Sequence, residues 1–201
     1  TDEANYDIIN RTIADNAWLE WYRDVLMDLQ EARLIIESTA YATTDEEMAA
    51  ANQLLIADIL ECFVYERMVT LWGDIPYTQA LDIENINPAY DDAFTIYNDL
   101  IVRLNADIAG LSPNASYGSY GGADVIYHGD VDKWVMFANS LKLKMGITLA
   151  KSNATLAKTT IESAIAGGVF ASNADNAEVH FLDSPPNTNP LYVDLTLSGR
   201  Q

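Results

Sequence analysis

The stretch from Thr44 to Tyr77, TDEEMAAANQLLIADILECFVYERMVTLWGDIPY, constrains this chain more than any other. Leu55, Ile56, Ile59, Leu60, Phe63, Val64, Met68 and Leu71 recur at three- and four-residue spacing, the period of an α-helix. Their arc is wide, so most of the circumference should be buried. A helix apolar over most of its girth must be enclosed by other elements. Thr44 is placed to cap its start, with Glu47 reaching back from the first turn. Gly73 can turn the chain out of the helix and Pro76 forbids a quick restart. The expected span is 44–72.

What encloses it reads as more helix. Residues 14–40 carry Trp18, Tyr22, Val25, Leu26, Leu29, Ala32 and Ile36 on one face. Asn87-Pro88 supplies a cap and first position for a helix over 89–109, with Phe94, Tyr97, Leu100, Ile101 and Leu104 inward. Residues 112–129 shift to Ser, Gly, Tyr and Asn and read as a long loop. Asp130 caps a helix over 131–151, and Ser152 or Asn153 starts another over 153–167 that stops at Gly167-Gly168. No period-2 strand pattern extends beyond a few residues. Trp134, Ala138, Leu141, Ala150 and Ala157 fall near the large and small packing positions of a tetratricopeptide repeat. The expected fold class is therefore all-α, tetratricopeptide-like helical hairpins with long loops, in a single domain over 1–201.

Charge narrows the function. With 11 basic and 30 acidic residues the formal charge is −19, a field that repels nucleic-acid phosphates and anionic headgroups. Neither nucleic acid nor a peripheral membrane surface is an expected partner. Cys62 is the only cysteine, inside an apolar pattern, and reads as a small buried hydrophobe. His128 and His180 have no helical-spacing partner, so no metal or other cofactor is expected. The acid pairs Glu46-Glu47 and Asp91-Asp92 are assigned to first helical turns rather than to catalysis.

Several segments, in order, resemble the SusD/RagB family of nutrient-binding outer-membrane lipoproteins, in its SusD-like branch. They are WLEWYRDVLMDLQ, LWGDIPYTQAL, NPAYDDAFTIYNDLIVRL, GDVDKWVMFANSLKLKM and IAGGVFASNADNAEVHF. The resemblance runs from Tyr6 onward. It implies the SusD-like helical fold, truncated here, with this chain the N-terminal portion of a longer protein. It also implies cell-surface binding of oligosaccharides or peptides, without bond cleavage, for delivery to a TonB-dependent transporter of the SusC type. Membrane contact would come only through a lipid anchor absent from this chain. A protein-binding repeat scaffold and a helical glycoside hydrolase are the rival readings.

Within WGDIPY the residues lack the glycines and lysine of a phosphate loop and the base of a catalytic site. It reads as a connector in which Asp74 caps backbone donors and Tyr77 packs back. Ligand contact is instead expected near the first helix, where Tyr6, Asn10, Arg11, Asn16, Trp18 and Trp21 lie close together. Aromatic faces there would stack on sugar rings and the polar groups would meet hydroxyls. The competing assignment makes both tryptophans core. Tyr117 and Tyr120, in the Ser/Gly-rich loop, are the second candidate surface.

Overall fold

The computed structural model describes residues 12–185 and 188–197. The first helical run is α1 (Ile13–Leu19), a π-helical turn over Glu20–Leu26, and α2 (Met27–Ser38). Then follow α3 (Thr44–Trp72), β1 (Ile75–Pro76), β2 (Tyr90–Asp91), α4 (Ala93–Leu111), α5 (Val131–Leu149), α6 (Ala154–Gly167) and the single turn α7 (Pro190–Tyr192). The all-α expectation holds.

The 29-residue α3 is the axis. Its two termini are set by local chemistry. Thr43, not Thr44, is the cap: its hydroxyl accepts the Glu46 N–H at 3.2 Å while Glu46 accepts the Thr43 N–H at 3.1 Å. Both threonines suit a cap chemically, and the register moves one residue because Thr43 takes the extended backbone conformation that a cap requires. Thr43→Ala is expected to lower stability by about 1 kcal/mol, read as the midpoint shift in urea unfolding. At the far end Gly73 adopts φ +77°, a conformation open to glycine at little cost.

Ile56, Ile59, Cys62, Met68, Leu100, Leu104, Leu111, Ala138 and Met145 form the fully buried centre, where α3, α4 and α5 meet. Two inward assignments fail: Leu71 is 65% exposed and Phe94 is 42% exposed. Leu71 sits in the last turn of α3 and Phe94 in the first turn of α4. Cys62 is fully buried. That burial pushes its thiol pKa well up, so it stays protonated and unreactive.

The helix after WGDIPY starts later than expected. Asp92 caps α4 by accepting the Thr95 N–H at 2.8 Å; Asn87-Pro88 instead belongs to the approach to β2. The short sheet was not legible as strand. Ile75 and Pro76 pair antiparallel with Asp91 and Tyr90, and Asp91 accepts the backbone N–H of Tyr77 and Thr78 at 3.1 and 2.8 Å. Of the two acids, then, one caps a helix and the other staples a loop. Asp74 does act as a cap, accepting the Ala93 N–H at 2.9 Å.

Candidate functional site

The first long helix crosses the C-terminal end of α3, and aromatic rings fill the crossing. Trp18 lies 4.9 Å from Tyr22 and 5.1 Å from Trp72, and Trp21 lies 5.2 Å from Trp72. The π turn sits inside this cluster: the Met27 N–H reaches the Tyr22 carbonyl, five residues back, which is the wider winding of such turns. The Tyr22 hydroxyl donates to the Pro76 carbonyl at 2.5 Å, tying the helix to β1. Pairing of Pro76 with Tyr90 then places the Tyr90 ring over Trp18, near-parallel at 21° and 6.3 Å. Tyr90 is 66% exposed. A cleft of about 110 Å³ opens here between Trp18, Tyr22, Pro76, Ala80, Leu81 and Pro88.

Beneath the same helix lies a charged network drawn from three helices. Arg33 donates to Asp58 and Glu61 at 3.1 and 3.0 Å. Arg103 donates to Asp58 at 2.6 Å and Glu61 at 2.7 Å, and to the Tyr77 hydroxyl at 2.8 Å. Tyr77 in turn donates to Asp99. Hence the WGDIPY connector carries its tyrosine into the network.

Asp107 of α4 completes it. Oxygens of Asp58 and Asp107 and the Cys62 sulfur lie within 4.8 Å of one another. Such a trio invites comparison with a metal site, but Arg33 and Arg103 already balance Asp58 and Glu61, and a proton suffices to neutralise Asp107. Burial, then the charge of Asp58, pushes the Asp107 carboxyl up to about 8, against the pull of Arg103 and Arg33. Between about pH 4 and pH 8 the folded protein therefore holds a proton that the unfolded chain, with an ordinary value of 3.8, has released. Stability from this group is greatest below about pH 4 and falls as pH rises toward about 8. Asp107→Asn should flatten that decline, measured as denaturation midpoints between pH 5 and 8.

The second candidate surface is ordered by α3. Asn52 donates to the carbonyls of Asn114 and Gly118 at 2.9 and 2.8 Å, and Gln53 to that of Ser119 at 3.1 Å. The Tyr120 hydroxyl donates to the Gln53 carbonyl at 3.0 Å. Asp124 gathers the N–H groups of Ile126, Tyr127 and Gly129 and the Trp134 indole. Although burial raises the Asp124 pKa, these donors hold it below the usual carboxylate value. Much of the expected loop is thus 3₁₀ turn, over Ser112–Tyr117 and Gly121–Ala123.

The expected ligand residues therefore fall into separate places. Tyr6, Asn10 and Arg11 lie outside the described residues. Asn16 is exposed on α1, and its amide donates to the Thr12 hydroxyl at 3.5 Å. Trp18 and Trp21 are half-buried in the aromatic crossing at Trp72. Tyr117 is 41% exposed, and Tyr120 is committed to Gln53. Positions 53 and 72 are about 28 Å apart along α3, so the two candidate surfaces are well separated along one helix. Tyr90 was missed. Its only signal in the sequence was an aromatic two residues after Pro88 in NPAYDD.

Comparison with known proteins bears on this geometry. A SusD-like family model, described as starch-binding and associating with the outer membrane, matches residues 1–201. A SusD homolog from Bacteroides uniformis is 31% identical at TM-score 0.71, with 86% of this chain and 33% of that one covered. A chitin-binding protein is 29% identical at TM-score 0.70, over 82% and 33%. A chitin-binding SusD homolog from Flavobacterium johnsoniae, 24% identical at TM-score 0.71 over 90% and 36%, shares the fold. The chain thus spans about a third of the length of these structures. No curated protein matches it.

Proposed function

This chain belongs to the SusD-like family, and from that membership we propose that its protein captures oligosaccharides at the bacterial outer-membrane surface. The single observation that carries this reading is the family match along the whole chain. The 29%-identical chitin-binding structure supports a glycan rather than a peptide as ligand. Capture is binding alone, without bond cleavage. Delivery to a SusC-type TonB-dependent transporter and attachment through a lipid anchor complete the proposal. Among the described residues no helix is long and apolar enough to cross a membrane.

The aromatic crossing is our candidate contact surface. Tyr90 offers an open ring backed by Trp18, the arrangement that stacks on a sugar ring, with the cleft beside it. Asn16 stands on the same helix. Tyr117 and Tyr120 remain proposed contacts of a second, distant surface.

Isothermal titration with maltoheptaose and chitohexaose, with products followed by chromatography, tests the proposal. Saturable binding without products is expected. Products would indicate a hydrolase, and no binding a protein scaffold. Trp18→Ala and Tyr90→Ala should each weaken binding about tenfold, the order of one aromatic contact. Because Trp18 also packs on Trp72, helicity is measured alongside. Loss of helicity with binding would return Trp18 to the core, leaving the mostly exposed Tyr90 as the deciding variant.

A further inference from the structure

Beside the aromatic cleft lies a second cavity, of about 280 Å³, lined by Gln30, Arg33, Leu34, Glu37, Glu61 and Leu81. Leu81 lines both. It is one of two non-glycine residues at positive φ, +63°, among those described, a conformation that a branched side chain adopts at a cost. That strained leucine is the shared wall of the two spaces. The helical side of both is one stripe: Trp18 and Tyr22 at one end, then Gln30, Arg33, Leu34 and Glu37. From Trp18 to Glu37 its length is about 28 Å at the α-helical rise, with the 76–88 segment opposite.

The chemistry changes along the stripe. Trp18, Tyr22, Pro76 and Pro88 form an apolar, ring-bearing end. At the other end, the side chains of Gln30 and Glu37 make no hydrogen bond among the described residues, so an amide and a carboxylate stand open. Arg33 is held from behind by Asp58 and Glu61, and its side chain is 34% exposed. The guanidinium is therefore fixed before any ligand arrives, which reduces the ordering cost of binding.

We propose that the two cavities form one linear groove for a neutral oligosaccharide. One ring packs at the Trp18–Tyr22–Pro88 end, and the hydroxyls of a following ring meet Gln30, Arg33 and Glu37. This rests on the glycan-binding reading and extends it to residues and a ligand class. Neutrality follows from charge. Arg33 is already matched by Asp58 and Glu61, Glu37 adds an open negative charge, and the whole chain carries −19. An acidic sugar would meet repulsion at each of these.

The test titrates the full chain with maltoheptaose, chitohexaose and oligogalacturonate, as wild type and as the double variant Gln30→Ala, Glu37→Ala. Neither side chain bonds to the described protein, so thermal unfolding should be unchanged. A neutral oligosaccharide is expected to bind the wild type, and the double variant to bind it about tenfold or more weakly, the order of one hydrogen bond to a charged group. Unchanged affinity for a ligand that the wild type binds would overturn the groove while leaving glycan capture standing. Oligogalacturonate binding as tightly as the neutral sugars would overturn the ligand class. Binding of none of the three would overturn the glycan reading itself, and the groove with it.

Discussion

Arg103→Met is expected to destabilise the protein by about 2–4 kcal/mol, toward the lower part of the range for breaking a buried ion pair. Arg103 is the hub at which α3, α4 and the WGDIPY connector meet. It bonds Asp58 through two nitrogens, at 2.6 and 3.1 Å, and Glu61 at 2.7 Å. Without it, Asp58 and Glu61, whose side chains are 15% and 7% exposed, keep only Arg33. Two negative charges near Asp107 would then share one cation. The Arg103 side chain is 22% exposed, so water recovers part of the loss, which is why the lower end applies. For a chain of this length about 3 kcal/mol corresponds to a fall of roughly 6–12 °C in Tm. Arg103→Lys should recover little, because an ammonium cannot reproduce the forked contact. A loss under about 1 kcal/mol would show that Arg33 alone can neutralise the cluster.

The second large effect is expected at Trp134. Its side chain is 2% exposed, and its ring meets Tyr127 at 5.2 Å and Phe137 at 5.5 Å, both edge-on. The indole N–H donates to Asp124 at 2.7 Å. Trp134→Ala should cost about 3–5 kcal/mol through lost burial and the cavity left behind. Asp124 would keep three backbone donors, so the turn over 124–130 should survive while the core under it empties. Trp134→Phe separates the terms. It keeps most of the volume and loses the hydrogen bond, and should cost about 1–2 kcal/mol. Urea unfolding of both variants gives the comparison; equal losses would mean that the hydrogen bond, not the volume, dominates.

Much of the fold was legible because the interactions that set it are local. Asp130 and Asn153 cap α5 and α6 by accepting N–H groups three residues on, and Gly73 and Gly168 end helices at positive φ. A helix terminus is decided within one turn, so the residues that decide it stand together in the chain. Where two neighbours could do the same work, as with Thr43 and Thr44, local chemistry left the register open. Periodicity likewise marked the buried face of α3 but not which side of its last turn is covered: Trp72 packs on Trp18 and Trp21 while Leu71 is exposed.

The site was legible only in part, for the opposite reason. Trp18 and Trp21 stood out because they are neighbours in sequence, but whether they face a ligand or the core depends on Trp72 and Tyr90, which packing brings to them. The sequence alone determined an acidic, all-helical chain, its family, and where most helices begin and end. Tertiary structure decided the rest: that Tyr90 lies over Trp18, that the loop of Tyr117 and Tyr120 is bonded to the N-terminal half of α3, and that Arg33, Asp58, Glu61, Arg103 and Asp107 share one site. Contacts between residues far apart in the chain form only when whole helix faces pack, and no short window of sequence records which faces those will be.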